Sequence, residues 1–136
     1  MPDFRKVTEE FSVAPQISID DMAAAADLGF VLVINNRPDG EAPDQPASAR
    51  MEAAAKAAGV DYVHIPVRGG PMPEQVEAVR VAIAAADGPV LAFCRSGTRS
   101  IVTWSLGQVS SGERSRGELV QLGREAGYDL AGVLGS

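Results

Sequence analysis

The chain has one cysteine in 136 residues. No internal disulfide can form, so folding rests on burial of apolar surface, and a reducing compartment is the expected setting. Aromatic residues make up 5% of the chain, which leaves the core to aliphatic side chains and alanine. The net charge of −6 provides no general basic face, and this argues against nucleic acid as a partner. No apolar run reaches the ~18 residues of a membrane span. The opening residues, MPDFRKVTEEF, lack the charged-then-apolar plan of a signal peptide. Together these absences predict a cytoplasmic protein that touches no membrane. A single histidine and a single cysteine, distant in sequence, make no metal ligand set, so neither a metal nor another cofactor is expected. The length fits one domain spanning residues 1–136.

What is present is an alternation of apolar runs and capped, alanine-rich segments. EFSVAPQIS reads as a short strand or hairpin. SIDDMAAAADLGF follows as a helix, with Ser18 capping its first amides, Asp20 and Asp21 at its positive end, and Gly29 as its stop. FVLVINN is the continuous β-branched run of a buried parallel strand. RPDGEAPDQPAS holds three prolines in a dozen residues and is a long loop, a kind that often carries function. Next come the helix SARMEAAAKAAG, a second buried strand VDYVHIPV, the turn RGGPM, and a helix from Pro73 that stops near Gly88. PVLAFC is a third strand; SIVTWSLGQVSS and RGELVQLGREAG are helices, and YDLAGVLGS trails off. This order predicts an α/β fold with a central, mostly parallel sheet flanked by helices on both faces. In such sheets the ligand site lies beyond the carboxyl ends of the strands, where Cys94 falls.

Cys94 opens the stretch CRSGTRS, a strand end that runs through a short loop into a helix. The amides of Arg95, Ser96, Gly97 and Thr98 can turn inward as an anion cradle, reinforced by the helix dipole. Gly97 permits the backbone angles the ring needs. Arg99 can close the ring with a bidentate guanidinium, and Arg95 and Arg68 can attract an anion. Ser100 can cap the helix and reach the sulfur. The same surroundings favour a thiolate, which is a nucleophile at neutral pH. A lone cysteine ending an apolar strand is more often a small buried hydrophobe, but two arginines and a loop glycine directly after it favour catalysis.

The stretch CRSGTRS is similar to the active-site loops of cysteine-dependent phosphatases and rhodanese-type sulfurtransferases. Taken with SVAPQIS, VINNRPDGE, YVHIPV and REAGYDLAG, it resembles the phosphatase-like domain of bacterial beta-lactamase hydrolase-like proteins. The resemblance implies a fold like that of the dual-specificity tyrosine phosphatases. It also implies a metallo-hydrolase-like or persulfide-processing partner, expected here as a separate protein. Three departures bear on the reaction. Four residues separate Cys94 from Arg99, where phosphatases have five and rhodanese-type loops are shorter. Phe93 stands where phosphatases carry histidine. HIPVRGGPMPEQ lacks the aspartate that would protonate a leaving oxygen; Arg68 stands near that place and Glu74 suits a helix start. Sulfur transfer can manage without that acid. The favoured expectation is therefore a sulfurtransferase passing a sulfane sulfur through a Cys94 persulfide to an external thiol. The alternative is a phosphatase-like hydrolase working through a cysteinyl-phosphate. A non-catalytic anion-binding or redox-sensing module is the third reading. The substrate in either enzymatic case is a small anion.

Other residues carry two readings each. His64 either steers a proton or is a satisfied strand histidine. Asn35, Asn36 and Arg37 either serve the anion and the cysteine loop or are turn residues. Arg80 reads as a surface charge beside Glu77, and Trp104 as core beneath the loop. The acids of EAPDQ read as a solvated loop without a catalytic role.

Overall fold

The computed structural model describes residues 2–134, in which strands and helices alternate around one five-stranded sheet. A hairpin of β1 (Arg5–Lys6) and β2 (Phe11–Ala14) is followed by α1 (Asp21–Asp27), β3 (Leu32–Asn35), α2 (Ser48–Ala58) and β4 (Asp61–His64). Then come α3 (Pro73–Ala85), β5 (Val90–Phe93), α4 (Thr98–Ser111), α5 (Arg116–Ala126) and α6 (Ala131–Leu134). The strand order is β1-β2-β5-β3-β4, and every pairing except β1 with β2 is parallel. This is the expected α/β architecture.

The position of β5 explains its sequence. It hydrogen-bonds to β2 on one side and β3 on the other, and helices cover both faces. All four of its residues are buried, so an unbroken apolar run is required. Side-chain alternation divides the core in two. Leu91 and Phe93 join Val33 and Ala14 against Met22 and Ala25 of α1 and Met51 and Ala55 of α2. Val90 and Ala92 join Val13 and Ile34 against Val79 of α3, Ile101 of α4 and Leu119 of α5. None of the helices among the described residues is long and apolar enough to cross a membrane.

Several expectations shift. VDYVHIPV, read as a buried strand, is the sheet edge. Asp61 is exposed and Tyr62, Val63 and His64 are only half-buried, because no strand lies beyond β4. Helix α1 starts at Asp21. Residues 18–20 make a turn in which Ser18 Oγ accepts the Asp21 N–H at 3.2 Å and the Asp21 carboxylate accepts the Ser18 N–H at 2.9 Å. Helix α4 begins two residues early, at Thr98, inside the anticipated loop. Trp104 is core, as expected, but it stacks on Phe11 at 4.8 Å, near the amino end of the sheet rather than under the cysteine loop. The tail expected to trail off packs inward: Leu130 is buried and α6 covers the lower core.

That tail imposes a constraint on α5. A Cβ on Gly123 would lie 2.7 Å from Leu130 Cδ1 and 3.3 Å from the Tyr128 carbonyl oxygen. Alanine gains about 1 kcal/mol in helix propensity, but overpacking against a buried leucine costs about 1–3 kcal/mol. The clash should win. G123A is predicted to lower the free energy of urea unfolding, while G117A, which meets nothing within 4 Å, should not. A G123A midpoint at or above wild type would contradict the packing.

Candidate active site

Beyond Phe93 the chain has four residues, Cys94 to Gly97, in which to leave the sheet and enter α4. Gly97 makes the turn with φ of +93° and serves as the N-cap of α4. A side chain there would be strained by that φ and would also collide with Tyr128, whose Oη would sit 2.1 Å from a Cβ. The turn directs the Gly97 N–H onto Cys94 Sγ at 3.1 Å. Cys94 is fully buried, as a structural cysteine would be, but its sulfur accepts this amide at the positive end of a 14-residue helix. The amides of Arg95, Ser96, Arg99 and Ser100 have no hydrogen-bond partner among the described residues. Four amides without a protein partner beside a helix N-terminus have the chemistry of an oxyanion cradle.

Arg99 stands in the first turn of α4, one side of its guanidinium held from outside the loop. Its Nη1 donates to Glu41 Oε2 at 2.7 Å and to the Val67 carbonyl at 2.9 Å, and its Nη2 donates to Glu41 Oε1 at 2.8 Å. Glu41 also accepts from Arg37 Nε at 2.9 Å, and Arg37 Nη1 donates to Gln16 Oε1 at 3.0 Å. The hydrogen bonds from Arg99, then those from Arg37, pull the Glu41 carboxyl from its usual 4.5 down to about 2 despite some burial. In return Glu41 raises Arg99, with Cys94 adding to the effect. The bidentate face of Arg99 assigned to the substrate is therefore occupied by Glu41. The Nε edge has no partner among the described residues and is open to an anion. The EAPDQ stretch is therefore not simply a solvated loop: its Glu41 pairs with both Arg37 and Arg99. Its signal in the sequence was an acid in a long loop following a strand's carboxyl end, next to an arginine needing a counter-ion.

The remaining residues divide between the loop's support and its rim. Asn36 is fully buried, donates from Nδ2 to the Ile65 carbonyl at 2.9 Å, and accepts from Ser100 Oγ at 2.8 Å. Ser100 thus ties α4 to the end of β3. It neither caps the helix nor hydrogen-bonds to the sulfur, because α4 starts two residues earlier and places Ser100 on its third position. Asn35 accepts the Arg37 N–H and donates to Tyr62 Oη, so it braces the turn. His64 Nε2 pairs with the Arg37 carbonyl at 2.8 Å, the satisfied strand histidine of the two readings. Ser96 Oγ bonds to Thr98. Arg95 and Arg68 are exposed, and their side chains have no hydrogen-bond or ion-pair partner among the described residues; both lie in segments bordering the loop. Glu74 lies in the first turn of α3 as anticipated. A separate cleft of about 410 Å³ reaches Phe11, Arg80 and Trp104 and includes no residue from Cys94 to Ser100.

A family model described as the beta-lactamase hydrolase-like protein, phosphatase-like domain, matches residues 3–111. The chain belongs to this family. It is 38% identical over 126 residues to the beta-lactamase hydrolase-like protein of Agrobacterium fabrum, covering 92% of this chain and 29% of that one. The Xylella fastidiosa protein of the same name is 38% identical over 125 residues, covering 91% and 29%. The chain thus spans under a third of the length of the curated relatives it matches. Among solved structures it is similar to a candidate phosphatase from Neisseria meningitidis, with 32% identity, a TM-score of 0.87, and coverage of 98% and 95%. Tk-PTP in its active form (20% identity, TM-score 0.74, 94% and 87% covered) and human DUSP28 (19%, 0.67, 93% and 82%) share the fold. The fold of this family is therefore that of the cysteine phosphatases, as the resemblance implied.

The Glu41 cluster sets an acid dependence. A carboxyl lowered from 4.5 to about 2 stabilises the fold fully above about pH 4.5, and that share is lost as pH falls through 2. The stability difference between wild type and E41Q, measured by urea unfolding across that window, should shrink towards the acid end. A difference that stays constant would show that Glu41 is not held as described.

Proposed function

We propose that the chain is a phosphatase-type hydrolase that works through Cys94 on activated phosphate esters. The observation that carries the reading is a set of four loop and first-turn amides without protein partners among the described residues, with the open edge of Arg99, beside a sulfur that already accepts one N–H. Five such donors suit the three equatorial oxygens of a phosphoryl group in flight. In the first step Sγ attacks phosphorus, an S–P bond forms, and the P–O bond to the leaving group breaks. Water then attacks the cysteinyl-phosphate, releasing inorganic phosphate and returning the thiolate. Membership of a phosphatase-like family, and the shared fold, support this over the sulfur transfer favoured from the sequence.

The site also limits the substrate. Residues 65–72, which follow β4, carry no carboxylic acid, and Glu41 is held ionised by two arginines. A general acid contributes about 10²–10⁴ to rate, so the leaving group must depart unaided as an anion. Aryl phosphates meet that condition and alkyl phosphates do not. Arg95 and Arg68 supply the approach for such an anion.

The same lack of an acid, with only four residues between Cys94 and Arg99, favours a second reading, rhodanese-type sulfur transfer. There the Cys94 thiolate attacks the outer sulfur of thiosulfate, sulfite leaves with the S–S electron pair, and an external thiolate removes the sulfur from the persulfide.

One preparation assayed in parallel separates the readings. Phosphate release from an aryl ester should exceed that from an alkyl ester at least about a hundredfold and vanish in C94S. No phosphate release, with one sulfur atom gained on Cys94 after thiosulfate treatment, would hand the function to the second reading. An inert wild type whose C94S variant still binds phosphate would make the chain a binding module.

A further inference from the structure

The segment after α5 reaches the loop through a single hydroxyl. Tyr128 Oη donates to the Ser96 carbonyl oxygen at 2.8 Å. That carbonyl and the Gly97 N–H belong to one peptide group, and the Gly97 N–H is the donor that meets Cys94 Sγ at 3.1 Å. In a trans peptide the C=O and N–H bonds point in opposite directions, so fixing one end aims the other. A hydrogen bond accepted by the carbonyl also polarises the amide and strengthens its N–H as a donor. We propose that Tyr128 is a positioning residue for the Cys94 nucleophile, holding the Ser96–Gly97 peptide with its N–H on the sulfur.

The rest of the fold holds Tyr128 in place for this. Gly127, with φ of +95°, ends α5 and turns the chain back, and the Tyr128 N–H bonds to the Gly123 carbonyl at 2.8 Å. The Arg5 guanidinium lies 5.1 Å from the centre of the Tyr128 ring and is itself held by Asp3 at 2.8 Å. Burial raises the Tyr128 hydroxyl above its ordinary value, Arg5 opposing, so it stays protonated and able to donate. The contact excludes any side chain at Gly97, since a Cβ there would overlap Oη. Tyr128 lies outside residues 3–111, the span matched by the family model.

The inference rests on Cys94 being the nucleophile, but its test needs no substrate. The rate of Cys94 alkylation by iodoacetate is followed against pH in wild type and Y128F; Cys94 is the sole thiol. In Y128F the acid limb should fall about tenfold while the alkaline plateau is unchanged, the result of a weakened donor to the thiolate. Superimposable profiles, or an equal loss at every pH, would overturn the assignment. The Gly97 amide resonance gives a second reading. It should move as Cys94 ionises in the wild type and move less in Y128F; a resonance indifferent to Cys94 would also overturn it. Absence of both phosphate release and sulfur uptake in the wild type would sink the proposed function while leaving these two measurements to decide the role of Tyr128.

Discussion

The turn between β5 and α4 is the constraint on which the proposed chemistry depends. A strand buried on both faces must end, and a helix must begin, within four residues. Doing so with Gly97 in the left-handed region leaves a row of amides without carbonyl partners, and turns the Gly97 N–H onto the side chain at the start of the turn. Their arrangement makes sense as a site for an anion, first the sulfur and then the oxygens or sulfur brought to it. Burial of Cys94 is thus compatible with reactivity, because what surrounds the sulfur is polar backbone and a guanidinium as well as apolar side chains.

A second balance is struck among charged groups. Two arginines share one carboxylate, with Arg37 almost fully buried and Arg99 partly so. Glu41 takes the far side of Arg99 and leaves the near edge for an anion. It prevents two guanidinium groups from repelling each other while keeping a net positive mouth on a chain of charge −6. The loop that carries Glu41 is anchored in turn: the Asp39 carboxylate accepts the Ser48 N–H at the start of α2, and Gln45 bonds to the Pro38 carbonyl. The long proline-rich stretch is therefore an ordered arm of the site.

What could be read from the sequence was what depends on near neighbours. The strand–loop–helix around Cys94, the glycine stop at Gly29 and the parallel α/β order all follow from residues close together in the chain. Contacts across the fold were not legible. Glu41 meets Arg99 58 residues away, and Tyr128 reaches Ser96 across 32 residues. The signal of an acid in a long loop near an arginine is shared by Glu41 and Asp44 and so does not single out Glu41, and nothing local marks Tyr128 as more than a tail aromatic. Ser100 departs from its expected place for a related reason: a helix start two residues earlier turns its hydroxyl from the sulfur to Asn36. The edge position of β4 depends on strand order, which composition does not encode.

The central claim is that the loop amides form a working oxyanion site around Cys94. The most direct measurement is an NMR titration of the nitrogen-15-labelled protein with vanadate, a phosphate analogue. The amides of Arg95, Ser96, Arg99 and Ser100 should shift together and saturate with one equivalent bound. If these four resonances stay fixed while others move, or none moves at all, the loop is no cradle and the enzymatic account fails.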